Sequence, residues 1–207
     1  MRRKIFVILL LSIVIFAALL NFSFVPYNVL RPVYVDTIMK TGAIGMSYLG
    51  GALLIGMLIG GILIGIIGKK VKPIKTVVIS FSVIGLSYAL LGLIAYLDMT
   101  HTFKMLAIIV VSMCFGMCIP IAQAPISAMI MKRIPSDIMG RVLSIFTLIS
   151  LSTTPMGGAF VGLIGDRLTV PQLFIIMGIV DIIGAAIFMI YHKVKASDLD
   201  NPVKASA

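Results

Sequence analysis

Six long stretches of this chain carry almost no charge, and short basic clusters lie between them. They are Ile5–Val25, Ile44–Gly68, Thr76–Leu97, Met105–Met131, Val142–Gly165 and Leu173–Tyr191. Each is close to the ~20 apolar residues that cross a bilayer as a helix. Five contain no charged residue, and the last contains Asp181 alone. A membrane β-barrel would instead show alternating segments of about ten residues, and none occur. The pattern predicts an all-α, polytopic membrane protein of six transmembrane helices.

Composition agrees. Of 207 residues, 60% are hydrophobic and 12% charged, with no Glu. Mean hydropathy is +1.19. A soluble domain is about a quarter charged, so a soluble fold here would lack the polar surface to stay dispersed. A lipid bilayer is the expected partner. The net charge of +10 raises the question of nucleic acid. The basic residues sit between apolar runs, however, which marks membrane topology, and no nucleic-acid partner is expected.

The charge distribution also sets an orientation. Arg2, Arg3 and Lys4, then Lys69, Lys70, Lys72 and Lys75, then Lys132, Arg133 and Arg141, then Lys193, Lys195 and Lys204 fall on one side. Arg31, Lys40, Lys104 and Arg167 fall on the other. By the positive-inside rule both termini are cytoplasmic, as six spans require. The start has the basic flank of a signal peptide. Its apolar run reaches Val25 with no clear cleavage site after it, so it reads as a first spanning helix. The polar stretch 193–207, with Asp198, Asp200 and Asn201-Pro202, reads as a short flexible cytoplasmic tail.

Residues 1–103 and 104–192 divide into two groups of three helices, and an internal repeat relates them. Gly61-Ile-Leu-Ile-Gly65-Ile-Ile-Gly68 ends the second span, with Pro73 beyond. Gly158-Ala-Phe-Val-Gly162-Leu-Ile-Gly165 ends the fifth, with Pro171 beyond. The offset is 97 residues, or three helices. The first copy ends inside and the second outside, so the repeats are inverted, as in transporter halves. Small-xxx-small spacing is also a common packing device in membrane helices, and chance similarity is the competing reading.

The loop after the fourth span reads Ile134-Pro135-Ser136-Asp137-Ile138-Met139-Gly140-Arg141-Val142-Leu143-Ser144. Arg31-Pro32-Val33-Tyr34-Val35 follows the first span, and Gly162…Asp166-Arg167 closes the fifth. Together these segments resemble the major facilitator superfamily, in its macrolide-efflux and siderophore-export branch. The resemblance covers nearly the whole chain and corresponds to helices seven to twelve of the family's twelve. Where the copy after the second span has Lys69-Lys70, the family's acidic loop residue is missing. The resemblance implies half of a major facilitator fold. It also implies an N-terminal six-helix half, or a second copy of this chain, as partner, because one half cannot enclose a two-sided cavity.

The resemblance further implies that the first helix of each repeat lines that cavity. In the sequence, Asn21, Asn28 and Arg31 share one face of the first helix. Ser112, Gly116, Pro120, Gln123 and Ser127 share a face of the fourth. Ser144, Thr147, Ser150 and Thr154 form a stripe on the fifth. Polar groups are costly against lipid, so Asn21, Asn28, Gln123, Ser127, Thr147, Ser150 and Thr154 are candidates for cavity and substrate contact. The Ser and Thr residues can equally bond their own backbone. Pro120 and Pro125 should kink the fourth helix.

Asp181 is the candidate for proton coupling, since a carboxyl at membrane depth could hold and release a proton. It could equally be a neutral packing group hydrogen-bonded to a neighbour. Asp137, Gly140, Arg141, Asp166 and Arg167 are gating-loop candidates, against a reading as solvated loop charges. Cys114 and Cys118, four apart in an apolar run, read as packing residues and not as a metal site. No cofactor is expected. No Walker-type loop for ATP occurs. His101 and His192 lie at span ends, so no base serves an intramembrane enzyme. The expected activity is efflux of a small amphipathic molecule, a drug or siderophore, across the plasma membrane by alternating access. A non-transporting remnant or partner subunit is the alternative.

Overall fold

The computed structural model describes residues 21–68, 70–133, 136–165 and 167–200. Of these, 129, 130, 132, 133, 136–138, 141–143, 145, 146, 149, 150, 153, 154, 160 and 191–200 are described as backbone alone. The described residues contain helices and connections, and no strand.

Helix α1 covers 21–34 and ends in a π turn, Val35–Met39, closed by the Lys40 amide on the Val35 carbonyl. Lys40 and Gly42 both take positive φ, 54° each, which turns the chain into α2, Gly42–Ile67. Helix α3 is Pro73–Tyr96. Its proline stands where a missing amide costs nothing. Helix α4, His101–Arg133, is continuous through Pro120 and Pro125. Helix α5 is Ser136–Gly165 and α6 is Val170–Asp200.

Two expectations need correcting. The first span was placed to end at Val25, where polar residues begin, yet the backbone stays helical to 34. Polarity marks where a helix leaves lipid, and helical hydrogen bonds continue past that point. The expected flexible tail from 193 is helical to Asp200. Lys193–Asp200 holds neither Gly nor Pro, so nothing stops the helix before Asn201-Pro202.

Four described segments are long and apolar enough to cross a membrane: Gly42–Ile67, Pro73–Tyr96, His101–Ala128 and Val170–Ile190. Most of the expected first span, 5–25, lies outside the described residues. In the fifth, only Pro155–Gly165 qualifies, as a shorter apolar piece. The outer surface is greasy: Ile66 is 69% exposed and Leu163 79%. In water this would be an aggregation surface; against lipid tails it costs nothing.

Glycine brings the helices together. A Cβ on Gly56 or Gly60 of α2 would run into the α4 backbone at Met113 and Met117. A Cβ on Gly116 of α4 would strike the Leu53 carbonyl. Helices α3 and α6 cross where Gly85 and Gly178 each face the other's carbonyl, and again where Gly92 faces the Pro171 carbonyl. Helix α5 meets α1 where a Cβ on Gly157 would touch Val25. Removing Cβ lets backbones approach closely, and dispersion then supplies the association that hydrophobicity cannot provide between lipid-immersed helices.

Candidate functional site

Prolines set up the local structure of α1. Pro26 has no amide for the Phe22 carbonyl, and its ring crowds that turn. The next step of the ladder, from the Tyr27 amide to the Ser23 carbonyl, would be a normal helical bond. Here the Tyr88 hydroxyl of α3 bonds both groups of that step. It accepts from the Tyr27 amide at 3.0 Å and donates to the Ser23 carbonyl at 2.5 Å. A side chain inserted into the ladder is one of the few causes of a helix bend. Tyr88 is fully buried.

Ser23 continues the network. Its hydroxyl donates to the Asp181 carboxylate oxygen Oδ2 at 2.5 Å, tying α1 to α6. Both residues are buried. Farther along α1, the Tyr34 hydroxyl donates to the Leu91 carbonyl of α3 at 2.7 Å. Ser23, Tyr27, Leu30 and Tyr34 therefore form the buried face of α1. Each polar group that this face takes out of water needs a partner, or its desolvation goes uncompensated.

An aromatic cluster encloses the network. Phe115 of α4 stacks on Tyr27 with centroids 4.6 Å apart, and meets Tyr88 edge-on at 5.1 Å. Phe24 lies edge-on to Phe115 at 5.6 Å. Phe174 of α6 sits 5.2 Å from Tyr34 and 5.6 Å from Tyr88. The Tyr27 and Ser112 hydroxyls face each other, and neither completes a hydrogen bond among the described residues. The Arg31 guanidinium stands 6.0 Å from the Tyr27 ring centroid.

The residues expected to line a cavity lie elsewhere. Asn28 is exposed on the opposite face of α1, and its amide nitrogen donates to the Phe24 carbonyl at 3.3 Å. Asn21 and Arg31 are half-buried on that same side. On α4 the expected stripe divides. Ser112 is fully buried, Gly116 packs on α2, Gln123 is half-buried and Ser127 is exposed. On α5, Thr147 is exposed, and the Ser144 hydroxyl bonds its own Gly140 carbonyl at 2.8 Å. The side chains of Ser150 and Thr154 lie outside the described residues. So do those of Asp137 and Arg141, and all of Asp166. The stretch expected as a loop after the fourth span is corrected: Asp137, Gly140 and Arg141 stand in the first turns of α5, because no residue between Ser136 and Val142 other than Gly140 opposes a helix; Gly140 and Arg167 are exposed. The structure thus brings Asp181 into a network with Ser23, Tyr88 and Tyr27. Three tyrosines on buried faces were missed in the sequence. The 27-to-34 spacing of two tyrosines on one helix face was the available signal.

Two glycine stripes point away from the other described residues. At Gly50, Gly51, Gly61 and Gly65 of α2, and at Gly158, Gly162 and Gly165 of α5, an added Cβ would meet nothing within 4 Å. These include the glycines of the sequence repeat except Gly68, where an added Cβ would meet the Ile64 carbonyl of its own helix.

Sequence comparison finds relatives among known proteins. Macrolide efflux protein A of Streptococcus pyogenes is 25% identical over 190 residues, covering 92% of this chain and 45% of the relative. Macrolide efflux protein A of Enterococcus faecalis is 26% identical over 148 residues, covering 72% and 44%. The chain thus spans about half the length of the curated relatives it matches. No solved structure matches it. The protein is embedded in a membrane, through apolar helices of spanning length, and its resemblance to exporters is of macrolide-efflux type. Residues 11–207 match the Major Facilitator Superfamily, so nearly the whole chain is accounted for, and it belongs to that family of transporters.

Proposed function

We propose that this chain is the C-terminal half of a secondary transporter that exports a small amphipathic molecule, such as a macrolide or siderophore, by alternating access. The observation that carries the reading is the family match across residues 11–207 of a chain half as long as its relatives. The open glycine stripes on α2 and α5 support a further half, or a second copy, as the missing wall, since they offer close approach to helices outside this chain. The inverted repeat gains support too. The 97-residue offset carries Gly60 onto Gly157, and each packs on the first helix of the opposite group, through Met117 and Val25.

In this reading α1 and α4 line the cavity. Asn21, Asn28, Gln123 and Ser127, with Thr147, Ser150 and Thr154 of α5, contact cargo. Asp137, Gly140 and Arg141 at the start of α5, with Asp166 and Arg167 after it, form the gate, in the plasma membrane with both termini cytoplasmic. Asp181 is the carboxyl available for proton coupling. In that role Asp181→Asn abolishes proton-dependent export; unchanged export would reduce Asp181 to a tie between α6 and α1.

The test is accumulation of a radiolabelled macrolide in sensitive bacteria. The chain is expressed alone and together with the N-terminal half of a related transporter. Export predicts lower accumulation with the pair, or with the chain alone if it dimerises. Unchanged accumulation in both, with both proteins present in the membrane, would leave the non-transporting subunit as the reading.

A further inference from the structure

The Tyr88 hydroxyl has an unusual position for a buried tyrosine. It could have bonded any free carbonyl. Instead it engages the two backbone groups, Tyr27 N–H and Ser23 C=O, that a regular helix would pair with each other. Pro26 stands between them and has already removed the preceding bond of the ladder. The step is held from a second direction, because the Ser23 side chain is bonded to Asp181 of α6. The Tyr88 ring itself is fixed between Phe115, Phe174 and Tyr27. Two helices thus clamp one turn of α1. Immediately beyond that turn come Asn28, on the open face, and Arg31.

We propose that Tyr88 is a positioning residue for transport: its hydroxyl pins the Pro26 step of α1 and sets the direction of the segment carrying Asn28 and Arg31. The positioning role rests on the cavity reading above, whereas the pin itself is a property of the folded chain. Losing the hydroxyl leaves the Tyr27 amide and the Ser23 carbonyl with no tie to α3, so the outer part of α1 is free to turn relative to α3. Loss of the Tyr34 hydroxyl also removes one α1–α3 bond, but it leaves the ladder step untouched.

The test is thiol labelling of the purified chain in detergent, with Cys114→Ser and Cys118→Ser removing the native thiols. A reporter is placed by Asn28→Cys, and a control by Tyr48→Cys on the exposed side of α2. Tyr88→Phe should change the maleimide labelling rate at position 28 by about five-fold, the population change expected for one lost hydrogen bond. The rate at position 48 should hold, and Tyr34→Phe should move neither. Pro26→Ala keeps Tyr88 but returns an amide to the helix, and it should also shift position 28. That variant decides the question if Tyr88→Phe fails to fold. An unchanged rate at 28, or equal changes at 28 and 48, overturns the pin. In exporting cells Tyr88→Phe should raise the KM for cargo, whereas Tyr34→Phe, which also loses an α1–α3 bond, should leave it unchanged. A KM that stays fixed overturns the positioning role. Labelling needs no export, so it judges the pin even if the transport reading fails.

Discussion

The crossing of α3 and α6 permits a sharp test, because two glycines of one helix face different surroundings. At Gly178 an added Cβ would lie 2.5 Å from the Gly85 carbonyl oxygen and 2.8 Å from the Ala89 nitrogen. Carbon and oxygen tolerate an approach to about 3.3 Å. The helices must therefore part by most of an ångström, which forfeits a quarter to a half of the dispersion well at each pair along the crossing. Neither backbone can yield as a flexible side chain would. Overpacking of this kind costs about 1–3 kcal/mol, offset by about 1 kcal/mol of improved helix propensity. Gly178→Ala should therefore destabilise the protein by up to about 2 kcal/mol, and leave it about 1–3 kcal/mol below a variant that gains the same propensity at a site with room for the Cβ. At Gly184 the nearest atom to an added Cβ is Phe81 Cε1 at 3.8 Å, an ordinary contact. Gly184→Ala should then be neutral or stabilise by up to about 1 kcal/mol. The assay is unfolding of the purified protein in mild detergent by titration with a denaturing detergent, followed by circular dichroism. Since about 1.4 kcal/mol is ten-fold in an equilibrium constant, the two midpoints separate clearly. If Gly178→Ala proves as stable as Gly184→Ala, the close crossing is wrong.

Three further outcomes follow from the buried network. Phe115→Ala removes the ring that touches Phe24, Tyr27 and Tyr88, and should cost about 3–5 kcal/mol in the same titration. Tyr34→Phe should cost about 0.5–1.5 kcal/mol by removing the bond from its hydroxyl to the Leu91 carbonyl, a loss absent if that bond does not form. Asp181→Asn can still accept from the Ser23 hydroxyl, so it should unfold near the wild-type midpoint, whereas Asp181→Leu should unfold earlier. Equal midpoints for those two variants would remove the tie.

What the sequence determined on its own was the solvent and the local order. Runs of about twenty apolar residues leave a bilayer as the only medium that suits them, and within it a helix satisfies its own backbone. The family motifs around Gly140 and Gly162 were legible for the same reason, because such signals are local. The sequence also singled out Asp181, since a lone carboxyl stands out in a greasy run. It could not supply the partner. Ser23 lies 158 positions away and Tyr88 lies on a third helix, so only packing brings them together. Nor could it sort the glycines. Gly60 and Gly61 are neighbours of identical chemistry, yet one meets the α4 backbone and the other meets nothing. In a segment apolar on every side, periodicity carries no information about which face is inside. The tertiary structure decided that by where the backbones could approach, and so decided which polar groups of α1 are locked in the core and which face outward.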